Sequence, residues 1–264
     1  MAMVSFRRIF AILLRHLYLL KHSVSRWIDL LYWPTIDLLL WGFVSLYIQQ
    51  REGSGIVYHF LGALILWNIL IRAQQGLAVG FLEDVWARNL LHLFASPLTL
   101  LDYVLGLLLY SILKAAVASL LMGFLGVLIF DFNLFAQGLA LFNLTFALLL
   151  FAWSVGLITI ALVLYFGQEA EIFAWALALL FLPFSAVFYP VSVLPPLFQE
   201  IAKFVPTSYV FEGLRMVFQG KDVPLLFLFK AYFLILVYLI LSVFIFSYSF
   251  KLSKVQGKLT KIGE

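Results

Sequence analysis

Apolar runs long enough to cross a bilayer recur along almost the whole chain, with few charges inside them. "LLLWGFVSLYI", "LLLYSILKAAVASLLMGFLGVLIF" and "LALFNLTFALLLFAWSVGLITIALVLYF" are three examples. A hydrocarbon core about 30 Å thick needs roughly 20 apolar residues per helix. Most of the chain can be cut into such lengths, so it is expected to be a bundle of transmembrane helices. Only 11% of its 264 residues are charged, against about 25% in soluble domains. Little length remains for a soluble domain, and residues 1–264 are read as one membrane domain.

Run length predicts an all-α polytopic membrane protein with six transmembrane helices. They cover about Asp29–Gln49, Ile56–Val79, Thr99–Phe130, Gly138–Phe166, Ile172–Phe188 and Leu226–Phe250. "QQREGSG", "DFN" and "GQEAE" turn the chain between spans. Before the first span, Phe6, Ile9, Phe10, Leu13, Leu17 and Leu20 fall on one helical face and Arg8 and Arg15 on the other. That pattern predicts an amphipathic helix at 5–27 lying in the membrane surface, and it lacks the cleavage pattern of a secretory signal.

Lysine and arginine placement sets the orientation. Arg7, Arg8, Arg15, Lys21 and Arg26 precede the first span, and Lys251, Lys254, Lys258 and Lys261 follow the last. Both termini are therefore expected on the cytoplasmic side of the inner membrane, with a cytoplasmic tail at 251–264. The connection between the second and third spans is expected there too, and the segment before the last span outside.

The sequence offers no catalytic constellation. No G-x-x-x-x-G-K-[ST] loop occurs, and "GKLT" at Gly257 lacks its spacing. His16, His22, His59 and His92 are scattered, and the absence of cysteine removes thiolate metal sites and thiol catalysis. No metal site, no cofactor in this chain and no nucleic-acid partner are expected. If ATP drives this protein, another polypeptide binds it. "NLT" at Asn143 lies inside a predicted span and carries no glycosylation reading.

In the cytoplasmic stretch "FLEDVWARNLLHLFASPLTLLDYVLG", Leu82, Val85, Trp86, Leu90 and Leu93 share a helical face, and Asp84 and Arg88 are spaced i,i+4 on the other. Pro97 ends or kinks this helix, and Ser96 or Thr99 can cap the next one. Such a helix either rests on lipid or docks on a cytoplasmic partner.

A second stretch, "FYPVSVLPPLFQEIAKFVPTSYVFEGLRMVFQG", is as apolar as a span but broken by prolines and charged at Glu200, Lys203, Glu212 and Arg215. Pro195 and Pro196 suit a first helical turn. Pro206 stops that helix, Thr207 or Ser208 can cap a second one, and Gly220 can end it. Glu200–Lys203 and Glu212–Arg215 form i,i+3 pairs. The segment is either a hairpin lying flat on the outer surface or one that dips into the membrane.

Together, "E…R…L…L..SPLT" after the second span and "YPVSVLPPLFQEIAKFVPTSYVFEGLR" before the last resemble the permease family of type 2 ATP-binding cassette exporters. The resemblance implies a cytoplasmic coupling helix at 83–97 with Glu83, Asp84, Trp86, Arg88, Leu90, Ser96 and Pro97 facing an ATP-binding subunit. It implies an outer re-entrant hairpin at 190–220 carrying Pro195, Pro196, Glu200, Pro206, Tyr209, Glu212 and Arg215. It also implies two permease subunits around a central path, a homodimer ahead of a heterodimer, within membrane lipid. ATP and magnesium would be bound by the partner, and the substrate moved outward would be amphiphilic, lipid-linked or drug-like. The lysine-rich, proline-containing loop of many polysaccharide exporters is absent, which leaves the substrate open.

Phe181, Phe184 and Phe188, with Tyr189 just beyond, fall along one face of the fifth span. They are either packing and an interfacial belt or an apolar plug at the outer end of a path. The family places its fifth span beside the dimer axis, which favours the plug. Asp37, Arg72 and Lys114 are costly in lipid and therefore functional candidates, a structural pair or subunit contact being preferred to an ion route. Gly76 with Gly80, and Ser119 with Gly123, allow close helix packing. An ion-coupled carrier would need inverted repeats and clustered mid-membrane acids, and an intramembrane enzyme a polar cluster. Neither pattern is present.

Overall fold

The computed structural model describes residues 4–52 and 56–257. The GSG turn at 53–55 and the tail lysines Lys258 and Lys261 lie outside the described residues. Within them the fold is helical, with no strand. Five helices are long and apolar enough to cross a membrane: α2 (Val24–Glu52), α3 (Ile56–Trp86), α5 (Leu100–Phe130), α6 (Gly138–Phe166) and α10 (Leu225–Val255). Between and before them come α1 (Phe6–Lys21), α4 (Leu90–Ala95), α7 (Phe173–Leu179), α8 (Pro196–Ala202) and α9 (Pro206–Phe218).

The predicted fifth span is therefore not a continuous helix. Its α-helical part is only α7, followed by a 3-10 turn at Leu182–Phe184. Pro183 explains the break. A proline ring clashes with the carbonyl four residues earlier, here Leu179, which is the last residue of α7. The hydrogen bonds tighten at that point, with Phe181 N–H bonding the Ala178 carbonyl instead of continuing the α pattern. Ala186 then takes a left-handed conformation (φ 55°), turning the chain toward the hairpin.

The remaining spans follow the apolar runs closely, and α6 begins and ends where the sequence predicts. α5 starts with a capping box: Asp102 N–H bonds the Thr99 hydroxyl at 3.1 Å, and Thr99 N–H bonds the Asp102 carboxylate at 3.1 Å. α3 forms the centre of the bundle, between α5 and α6, with α2 against α3 and α5, and α10 against α6. Gly76 lets α3 and α5 touch, since a Cβ there would stand 2.6 Å from Ser111 Cα.

The helices define two ends. At one, which we call the N-helix end, lie α1, the start of α2, the end of α3, α4, the start of α5, and the ends of α6 and α10. Phe94 stacks edge-on against Phe250 at 5.1 Å there, and the Ser253 hydroxyl bonds the Leu164 carbonyl at 2.6 Å. At the other, the hairpin end, lie α8, α9 and the start of α10.

α1 is shorter than the helix expected at 5–27. It ends at Lys21, and α2 takes over from Val24. Its face against the bundle is Ile9, Ile12, His16 and Leu20, of which Ile9 and Leu20 belong to the predicted apolar face. Phe6 and Phe10 stack on each other and stay exposed. α1 lies along α5: Ser5 N–H bonds Asp102 at 2.9 Å, His16 stacks on Tyr110 at 5.1 Å, and Leu20 shares a cluster with Ala118.

Candidate functional site

The corner between α3 and α5 differs from the single amphipathic helix expected at 83–97. α3 continues through Glu83, Asp84 and Val85 to Trp86, and the chain then turns at Arg88, whose φ is 51°. The Asn89 N–H bonds the Asp84 carbonyl at 2.9 Å, closing the turn, and α4 begins at Leu90. The i,i+4 pair of Asp84 with Arg88 is not the one that forms. Asp84 is wholly buried, pairs with Arg15, and accepts the Tyr103 hydroxyl at 2.7 Å. A carboxylate taken from water needs such partners, and its demand outweighs the exposed pair.

The seven expected coupling residues consequently separate. Glu83, Asp84 and Leu90 are interior, Leu90 at 2% exposure. Trp86, Arg88, Ser96 and Pro97 are on the surface. Trp86 stacks on Trp175 at 6.5 Å, and its indole N–H bonds Glu171 at 2.9 Å, tying the corner to the "GQEAE" turn.

Beneath the corner lies an ion-pair clamp that the sequence reading missed. Arg8 pairs with Asp102 at 2.8 Å, Arg15 with Asp84, and Arg26 with Glu83 at 2.6 Å. His16, fully buried, has Nδ1 3.4 Å from Glu83 and Nε2 3.7 Å from Asp84. Arg8 also donates to the Pro97 carbonyl at 2.7 Å. The available signal was the seven-residue spacing of Arg8 and Arg15, which keeps both on one face of α1.

A second polar group sits between α2, α3 and α5. Asp29 meets Arg72 at 3.2 Å and Lys114 at 3.6 Å, and Arg72 donates to Gln75 at 3.3 Å. Asp37 lies within the influence of Arg72 and Asn68. Arg72 and Lys114 are nearly buried, so the shared carboxylate is what makes their burial tolerable. The arrangement is an ion cluster between three helices.

The hairpin begins with Pro195 at the cap and Pro196 at the first position of α8. Pro206 opens α9 as its first residue, and Val205 occupies the cap. Thr207 and Ser208 do not cap α9. The Thr207 and Ser185 hydroxyls bond each other at 2.6 Å, while Ser208 donates to the Ala202 and Val205 carbonyls at 2.8 Å each, closing the tip. Gly220 (φ 70°) ends α9: its N–H bonds the Val217 carbonyl and the Lys221 N–H the Met216 carbonyl, the paired bonds of a left-handed helix stop.

Position matters more than the caps. α9 packs on α3, α6 and α10, with Phe211 6.2 Å from Trp67. At the tip, the Tyr238 hydroxyl faces the Phe204 carbonyl at 3.5 Å. Tyr238 lies thirteen residues past the start of α10 at Leu225, about 20 Å at 1.5 Å per residue. The tip therefore rests beside the middle of that helix.

Glu212 and Arg215 face each other at 3.3 Å, both mostly buried. Glu212 also accepts the Val191 N–H at 2.8 Å, and Arg215 reaches the Ala186 carbonyl at 3.4 Å. Glu200 and Lys203 pair at 2.6 Å in an exposed position. Tyr209 donates to the Lys203 carbonyl at 3.1 Å.

The aromatic residues do not form one stripe. Phe181 packs edge-on against Phe151 at 5.1 Å, Phe184 stacks on Phe198 at 5.7 Å, and Phe188 stacks between Trp41 and Phe60 at 4.9 and 5.7 Å. Tyr189 turns back to bond the Pro183 carbonyl at 2.8 Å. Once Pro183 breaks the helix, the shared face is lost and each ring finds a separate partner.

Residues 9–218 match the family model described as ABC-2 type transporter. No curated protein matches the chain. The matched region includes all of α9 and most of α1.

Proposed function

The chain belongs to the ABC-2 type transporter family, and from that premise we propose that it is the membrane half of an exporter. As a multi-pass permease subunit it works with a separate ATP-binding subunit. We place that partner, with its ATP and magnesium, against the corner at Trp86, Arg88, Ser96 and Pro97, and assign the N-helix end to the cytoplasm. Two permease copies then enclose a path through which an amphiphilic, lipid-linked or drug-like substrate moves outward. Basic residues on α1 and at the end of α10 support that orientation.

The observation that carries this reading is the tip of the hairpin beside the middle of α10. A flat surface hairpin would leave Phe204 near the start of that helix. Instead α8 and α9 form an inserted wedge, and non-helical backbone at that depth is tolerable only against protein or a wet cavity. In the proposed mechanism, ATP-driven closure of the partner pushes the corner, and the α1 clamp makes α1, α3 and α5 move together. α3 carries the displacement to α9 through Trp67 and Phe211, so the wedge shifts and opens the outer end.

Orientation supplies the test. The chain has no cysteine, so Arg88→Cys and Lys221→Cys can be labelled singly in intact cells with a membrane-impermeant thiol reagent. The expected result is reaction of residue 221 from outside, and of residue 88 only after lysis. The reverse pattern would overturn the assignment of the two ends.

A further inference from the structure

Among the described residues of the five long helices, only α2 turns carboxylates outward at membrane depth. The outward faces of α5 and α10 are apolar there, with Leu120 and Phe124 on one and Leu236, Ile240 and Phe244 on the other. On α2, Asp29, Trp33 and Asp37 follow one another at i, i+4 and i+8, so they share a helical face. Trp33 is 53% exposed and Asp37 is half-buried. Tyr32, also exposed, crosses Trp33 edge-on at 5.4 Å.

Asp37 lies deep in the bundle, beside Asn68 of α3. Asn68 is twelve residues from the start of α3 at Ile56 and eighteen from its end at Trp86, about 18 and 27 Å at 1.5 Å per residue. Asp29 is eight residues nearer the N-helix end, about 12 Å away. Ionisable groups at such depth face the bundle interior or a water-filled cavity rather than lipid. A second observation also points to water. The Arg72 Nε is buried and meets no hydrogen-bond acceptor among the described residues, and a buried donor of that kind is normally satisfied by water or a ligand oxygen.

Asp29 and Asp37 balance Arg72 and Lys114 in charge, yet the cluster is layered. The Arg72 and Lys114 side chains are 6% and 8% exposed, while Asp29, which holds both, is 43% exposed. Arg26, one turn before Asp29, is engaged by Glu83 at 2.6 Å. An approaching molecule therefore meets carboxylate oxygens and aromatic rings, with the cations behind them. Carboxylates beside exposed aromatic rings are the chemistry that holds an organic cation. We propose that this face of α2 is a wall of the path and takes the cationic group of an amphiphilic substrate. The proposal rests on the exporter reading above and narrows its substrate class.

The test uses the chain purified with its ATP-binding subunit in lipid discs, whose two faces are both open to solvent. Ile36, exposed between Trp33 and Asp37, and Ile240 of α10, exposed on an apolar face, are each replaced by cysteine and treated with a charged methanethiosulfonate. A thiol in apolar surroundings stays protonated, so Ile36→Cys should react at least about tenfold faster than Ile240→Cys. Tetraphenylphosphonium should slow the reaction of Ile36→Cys about fivefold, the scale of one neighbouring charge in water. Tetraphenylborate, of the same shape and opposite charge, should leave it unchanged. Asp37→Asn in the Ile36→Cys chain should abolish the protection while the thiol stays reactive. Labelling needs no ATP hydrolysis, so its failure is separate from any failure of the permease assignment. Reaction of Ile36→Cys no faster than that of Ile240→Cys would mean that lipid or a second copy covers this face. That result, equal protection by the two ions, or protection that survives Asp37→Asn would each overturn the proposal.

Discussion

Asp84 of α3 holds Arg15 of α1 in an ion pair whose carboxylate has no exposure to solvent. Tyr103 of α5 donates to the same carboxylate at 2.7 Å. One acidic residue thus joins three helices behind the corner assigned to the ATP-binding partner. Removing one partner of a buried pair costs about 3–5 kcal/mol, far more than removing both. Arg15 is about a quarter exposed, so the lower end of that range applies. Arg15→Leu should lower the melting temperature of the purified chain markedly, and Asp84→Asn in the same chain should restore part of the loss. Equal stability of wild type, single and double variants would show that the pair does not fasten α1.

The corner separates a docking residue from a core residue. Trp86→Ala should weaken capture of the ATP-binding subunit by 2 kcal/mol or more, about 30-fold, if it is an interface anchor. Its effect on the melting temperature should be small. Leu90→Ala should do the opposite, since a buried leucine truncated to alanine costs about 2–5 kcal/mol of stability. Affinity for the partner and thermal stability, measured on both variants, decide it. Unchanged affinity in Trp86→Ala would remove Trp86 from the interface.

In the hairpin, Glu212 and Arg215 are each mostly buried, so neither can lose its partner cheaply. Arg215→Leu leaves a poorly paired carboxylate at a cost of about 1–3 kcal/mol. Complex yield should fall, and adding Glu212→Gln should recover part of it. The exposed Glu200–Lys203 pair is the control, since surface pairs contribute about 0–1 kcal/mol. Lys203→Ala should match the wild type. If Arg215→Leu behaves like Lys203→Ala, the pair is solvated and α9 does not insert.

Gly76 offers a packing test. A side chain there would collide with the Ser111 backbone, which cannot swing aside. Gly76→Val should force α3 from α5 and reduce the folded yield severalfold. Gly138, with no neighbouring atom near its missing Cβ, should show little steric effect on substitution, apart from the strain of its left-handed conformation. Folded yield by size-exclusion profile distinguishes the two.

Most spans were legible because run length alone defines a helix in lipid. α6 and α5 were readable almost to the residue, the latter because Thr99 and Asp102 form a local cap. The fifth segment was misread because hydropathy does not register one proline, and Pro183 divides an otherwise apolar run. The coupling stretch was misread for a different reason. Its periodicity suits one helix, but the tertiary demand of Asp84 for Arg15 and Tyr103 extends α3 and forces the turn at Arg88. His16, which carried no expectation, faces inward because Glu83 and Asp84 stand beside its ring. In the hairpin, Pro196 and Gly220 announced their roles locally. The depth of Phe204 depends on a contact with Tyr238, thirty-four residues away, which no local pattern encodes.

As an ABC-2 permease subunit, this chain is proposed to be driven by a separate ATP-binding subunit. ATP hydrolysis in proteoliposomes tests it most directly, with the chain reconstituted alone, beside the ATP-binding subunit captured with it, and as the Trp86→Ala variant with that subunit. The account predicts no hydrolysis by the chain alone, magnesium-dependent hydrolysis when the two subunits are together, and a large reduction with Trp86→Ala. Hydrolysis by the chain alone, or a partner whose activity is the same with and without it, would contradict the account.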